Sequence, residues 1–197
     1  MRGKARAEKY RVRMPRLKLR GRPAPEPTSR LPLAWGDYRS RYLVGVALLI
    51  AGAALVSQTT AVTLAIGLLG SLVHLAGWAV QPGRPLARAA VALPSLVFCW
   101  STITGPKTMW LLAFVLPCWL LVRRRPPITY WTLALPLGLG LEVAAAFSYV
   151  ADKTVTFWTV VIAVVAAAWL ARELALRVRL VHTDPIGGTP ARPPRSP

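Results

Sequence analysis

Only two side chains able to carry charge near neutral pH, His74 and Glu142, stand well inside the long apolar stretches of this sequence. A charged carboxyl surrounded by hydrocarbon costs several kcal/mol, so such a residue must be neutral, paired or used. On a helix Glu142 shares a face with Leu135, Gly138, Ala145 and Tyr149, whose small members would admit a neighbouring helix. Pro136, Gly138 and Gly140 lie one to two turns earlier, where they permit a kink or a locally opened backbone. The pattern suits a protonatable gate or substrate contact, and it equally suits a protonated Glu hydrogen-bonded across helices. His74 is flanked by Gly70, Ser71 and Gly77, so its face carries minimal bulk and should turn inward to an interhelical hydrogen bond. Counted from the outer helix ends, His74 is expected about 20 Å deep and Glu142 about 14 Å deep. A direct pair between them would need a water or a tilted helix.

Other constellations fall short of chemistry. Ser71 and His74 are three residues apart, but the Gly-x-Ser-x-Gly pattern is missing and no third group orients the imidazole. One Glu, one His and the cysteines Cys99 and Cys118, scattered over separate apolar runs, lack the spacing of a metal site, and no second acid supports paired-carboxylate catalysis. Phosphate-cradling and dinucleotide-type glycine patterns do not occur. No enzyme activity, metal or cofactor is therefore expected. The cysteines read as two thiols serving as small hydrophobes, without a disulfide.

The elements that must position these residues are membrane helices. The 197-residue chain is 54% hydrophobic and carries a net charge of +18, features that conflict in a soluble globule and coexist in a segregated one. Six apolar runs are tested against the roughly 20 residues that cross ~30 Å of hydrocarbon. They cover 42–58, 60–80, 86–104, 108–122, 128–151 and 154–170, and the fourth, at 15 residues, requires snorkelling of Lys107 and Arg123 or a thinned bilayer. With alternating loops, 23 of 25 Lys and Arg fall on one side, leaving Lys107 and Lys153 on the other. Short basic loops stay cytoplasmic, so the sequence predicts an all-α polytopic transmembrane bundle of six helices with both termini inside. A four-pass arrangement, with the third and fourth runs re-entrant, is the main alternative. The basic N-terminus lacks an apolar signal core, so the first pass doubles as the insertion signal.

Three regions follow: a basic arm and Pro-rich spacer at 1–41, the transmembrane domain at 42–170, and a helix extension and tail at 171–197. Residues 1–30 hold 11 basic and two acidic side chains. Around Pro15 the arm alternates basic with apolar residues, which favours an extended segment presenting Arg11, Arg13, Arg16, Lys18 and Arg20 to anionic lipid or to a docking partner. Nucleic acid is the disfavoured partner. Asn is absent and Arg outnumbers Lys 20 to 5, a bias that points to a GC-rich bacterial source and hence the bacterial plasma membrane. Short loops, scarce buried charge and small-residue helix faces predict a protein that works by association, as an accessory or assembly subunit of a larger membrane complex or through self-association. The alternative is a small proton- or cation-coupled carrier or channel using Glu142 and His74.

Overall fold

The computed structural model describes residues 36–147 and 153–183. Of these, 87% are helical and none lies in a strand. The helices are α1 (Tyr38–Ser57), α2 (Leu64–Val80), α3 (Pro85–Ser101), α4 (Val115–Val122), α5 (Ala134–Ala146) and α6 (Lys153–Thr183). Tighter 3₁₀ segments, Pro106–Phe114 and Pro127–Leu133, lead directly into α4 and α5 and make each a single rod.

The starts of these rods are written in the sequence. Asp37 caps α1 by accepting from the Ser40 amide at 3.0 Å. Pro85, Pro106 and Pro127 open three of the others, where a missing N–H costs nothing. Gly105, at φ +111°, makes the turn before Pro106.

Four rods are long and apolar enough to cross a membrane: Tyr38–Ser57, Pro85–Thr104, Pro127–Ala146 and Lys153–Val178. Two further rods on the sites of expected passes, Leu64–Val80 and Pro106–Val122, are apolar but shorter. The second run starts late because Thr63 Oγ1 accepts from the Thr60 amide at 2.9 Å and bonds the Thr60 hydroxyl at 2.9 Å, holding a turn where helix was expected. The fourth gains length from its geometry. Nine 3₁₀ residues at ~2.0 Å rise and eight α residues at ~1.5 Å give about 30 Å, against about 26 Å for an all-α rod of the same 17 residues. The sixth rod is one unbroken helix from Lys153 to Thr183.

Small residues set the packing. α1 and α2 meet backbone to backbone: a Cβ built on Gly52 would lie 2.5 Å from the His74 nitrogen, and one on Gly70 would lie 2.8 Å from the Val56 nitrogen. A Cβ on Gly140 would lie 2.8 Å from the Trp110 Cα, so α5 presses closely on the 3₁₀ segment before α4. Along α6, Ala163, Ala167, Ala171 and Ala175 are all buried at a four-residue spacing that keeps one face thin. The core divides into one cluster around Cys99, Met109 and Phe157, a second around Leu49, Trp78 and Val122, and a third joining Leu116 and Leu120 to Ala167 and Ala171. Leu72, Leu86, Leu93, Val97, Trp131 and Ile162 meanwhile point outward with at least 65% of their surface exposed. Apolar surface of that extent is what lipid covers. The chain is a multi-pass helical membrane protein.

Candidate functional site

His74 is buried where α1, α2 and α3 meet. Its Nδ1 stands 3.2 Å from the Leu49 carbonyl oxygen, an acceptor only, which assigns the ring proton to Nδ1. Its Nε2 is 3.0 Å from Ser95 Oγ. The Trp78 indole N–H donates to Ser95 Oγ at 2.6 Å, leaving the serine proton for the imidazole or for the Ala92 carbonyl. About one turn away the Trp100 indole N–H donates to Ser71 Oγ at 2.8 Å, and the Ser71 hydroxyl donates to the Gly67 carbonyl at 2.7 Å. These bonds seam α2 to α3 in a neutral network whose polar atoms satisfy one another. Cys99 lies against it with Sγ 3.8 Å from His74 Nδ1, and both Cys99 and Cys118 are free thiols.

Glu142 is elsewhere. α5 ends at Ala146 rather than continuing to 151, so Glu142 lies only four residues, about 6 Å, from the helix end. Its level matches this, because Gly140 packs on Trp110 and Trp110 follows Lys107 by three residues. The helix end thus stands closer to Glu142 than the ~14 Å counted from a run ending at 151. Its face is also turned outward: Leu135, Gly138, Glu142 and Ala145 are exposed, and a Cβ on Gly138 would meet nothing within 4 Å. His74 and Glu142 occupy different faces of different helices and are not brought together.

The arginines that seemed to serve only topology build the second polar site. α4 ends with the Arg125 amide donating to the Leu120 carbonyl at 3.1 Å and the Arg124 amide donating to that of Leu121 at 3.0 Å, with Arg124 at φ +50°. This left-handed cap turns Arg124 to solvent and buries Arg123 and Arg125. The Arg123 guanidinium sits 4.3 Å from the centre of the Tyr42 ring, 5.3 Å from Trp119 and 5.4 Å from Tyr38, whose hydroxyl accepts its Nη1–H. On the neighbouring helix end, Arg41 Nε donates to the Val80 carbonyl at 3.1 Å and Arg88 Nη1 to that of Gln81 at 3.0 Å, so two cations close the C-terminus of α2. A cleft of about 680 Å³ opens between α1, α4 and α6 beside this cluster, with Arg39, Arg123, Arg125 and Arg172 among its lining residues.

The arm residues Arg11, Arg13, Arg16, Lys18 and Arg20 lie outside the described residues. The arginine and aromatic site escaped sequence reasoning, although Tyr38 with Tyr42, and Trp119 with Arg123, carry the i, i+4 spacing that aligns them. Among the described residues no group of three or more His, Cys, Asp or Glu could hold a metal ion. Comparison with protein families, with curated proteins and with solved structures gives no match to this chain.

Proposed function

We infer that the protein works by association in the bacterial plasma membrane, crossing it six times with both termini in the cytoplasm, as an accessory or assembly subunit of a larger membrane complex. The observation that carries this reading is the use made of the interior polar side chains. His74, Ser95, Trp78, Ser71 and Trp100 are spent on hydrogen bonds that seam helices together. A carrier built on Glu142 and His74 needs both on one path, and Glu142 faces outward near a helix end. The six-pass topology draws support from the ~30 Å length of the fourth rod and from the gathering of Arg41, Arg88, Arg123 and Arg125 at one end of the bundle.

Purification in a gentle detergent followed by mass spectrometry tests the reading. Stoichiometric co-purifying membrane subunits are expected. A lone homo-oligomer that conducts protons or cations in proteoliposomes would overturn it in favour of the carrier. Cysteine labelling at Thr59, Gly105 and Asp152 should report the outer side, and at Gly83, Pro126 and Thr183 the cytoplasm. Cytoplasmic labelling at Gly105 would sink the six-pass topology.

A further inference from the structure

The cleft between α1, α4 and α6 starts at the first turn of α1. Tyr38 and Arg39 belong to its lining there, and Val46, Ile50, Val115 and Val164 continue the lining as an apolar wall. α1 and α6 barely touch among the described residues, so the cleft of about 680 Å³ is open between them, and Trp169 on its α6 side keeps 60% of its surface exposed. Gly36, two residues ahead of Tyr38, has left-handed backbone at φ +61° and turns the chain just before the Asp37 cap. Ahead of that turn, outside the described residues, the sequence 31–35 reads Leu-Pro-Leu-Ala-Trp, the longest apolar run of the first 35 residues. Pro32 biases Leu31 toward extended backbone. In an extended chain successive side chains alternate, which would put Leu31, Leu33 and Trp35 on one face and Pro32 and Ala34 on the other. Five residues at ~3.3 Å each reach about 16 Å, more than the ~8–10 Å between the axes of packed helices.

We propose that residues 31–35 dock across this cleft within their own chain, setting Leu33 and Trp35 against its apolar wall beside Trp169. Docking covers two apolar surfaces at once, the face of the run and the wall of the cleft, whereas an acyl chain from the bilayer covers only the wall. The tether is short. Trp35 stands three residues before Tyr38, and a short linker raises the effective concentration of a segment to the order of millimolar without any new contact. The run crosses the cleft from α1 toward α6 rather than following α1 inward, because Arg30 comes next and descent would carry its guanidinium into hydrocarbon. Docked in this way, it straps α1 to α6 and fixes where the basic arm leaves the bundle. The contact is independent of whichever subunits the protein assembles with.

The test uses the full chain in lipid nanodiscs. Trp169, an exposed side chain, is replaced by the photoreactive benzoylphenylalanine, and after irradiation the adducts are separated on a denaturing gel and mapped by mass spectrometry. The main adduct should join position 169 to residues 31–35 and run as a monomer. An adduct mainly with lipid overturns the proposal and assigns the cleft to an acyl chain. An adduct mainly between two chains, or none with 31–35, overturns it as well. Accessibility gives an independent measurement. Trp169→Cys is labelled with a water-soluble maleimide, above the background that Cys99 and Cys118 give in the parent chain. Adding Leu31→Ser, Leu33→Ser and Trp35→Ser changes only residues ahead of the bundle, so the bundle should fold. Labelling of the introduced thiol should then speed up about tenfold, equivalent to ~1.4 kcal/mol of closure. Equal labelling rates with and without the triple change overturn the proposal.

Discussion

Replacing Gly52 by alanine tests whether the α1 and α2 hairpin is held by direct backbone contact. In a helix interior this change should stabilise by ~0.5–1 kcal/mol, since alanine loses less conformational freedom than glycine. The site opposes it. The added Cβ would stand 2.5 Å from the His74 nitrogen, 2.7 Å from the Gly70 oxygen and 2.7 Å from the His74 Cα, all backbone atoms that no rotamer change can move. The helices must separate, which costs ~1–3 kcal/mol as overpacking and loosens the His74 bond to the Leu49 carbonyl across the same interface. The net expectation is a loss of about 1–2 kcal/mol. Gly138→Ala is the matched control, because its Cβ would enter open space and only the propensity gain of ~0.5–1 kcal/mol remains. Unfolding both variants beside wild type in mild detergent by increasing sodium dodecyl sulfate, followed by helical circular dichroism, reads the signs directly. If Gly52→Ala proves as stable as Gly138→Ala, close helix approach does not hold the hairpin and the reasoning fails.

Ser95→Ala removes the hydroxyl between Trp78 and His74; the indole N–H can turn only to His74 Nε2, at 3.3 Å, so a loss of about 1–2 kcal/mol is expected in the same assay. Arg124→Gly should stabilise by up to ~1 kcal/mol, because glycine adopts the left-handed C-terminal turn of α4 without a Cβ penalty. The bonds from Ser40 hold the Asp37 carboxyl below its usual value of 3.8. The folded value is the depressed one, so the cap's contribution is complete above pH ~4 and is lost as pH falls further; exchange of the Ser40 amide should accelerate in that acid range and not between pH 6 and 8.

Arg123→Lys keeps the charge of its site but not the flat guanidinium that lies among three rings. Stability should fall by about 1 kcal/mol. Near-ultraviolet circular dichroism of Tyr42 and Trp119 should change with it, and an unchanged spectrum would argue against the stacking.

Much of the fold was legible in the chain. Apolar length is a local property, so the runs at 42–58, 86–104 and 154–170 announced their helices before any contact was known. Proline likewise announces a start, because its fixed φ acts on its own residue wherever the chain goes. The inward face of His74 was equally readable, since glycines at 70 and 77 leave room on only one side of α2. The start of α2 at Leu64 was hidden, because a Thr60 and Thr63 pair can serve helix or turn and the choice rests on side-chain bonds of a fraction of a kcal/mol to ~1 kcal/mol each. The face of Glu142 was hidden for another reason. Its small neighbours Gly138 and Ala145 could line a helix contact, yet Gly140, two residues away, is the one that meets Trp110.

By itself, then, the sequence determined a segregated, helical, multi-pass membrane chain, because hydrocarbon length and charge exclusion act along the chain one segment at a time. Tertiary structure alone decided which polar residues meet. Arg123 and Arg125 became buried members of a site because the cap of α4 swung them toward Tyr42 of α1 and Trp119 of α4. Glu142 was turned away because α5 chose its close contact through Gly140. Such meetings depend on helix rotation and register, which are fixed by which small residues let two backbones touch, and no single segment carries that information.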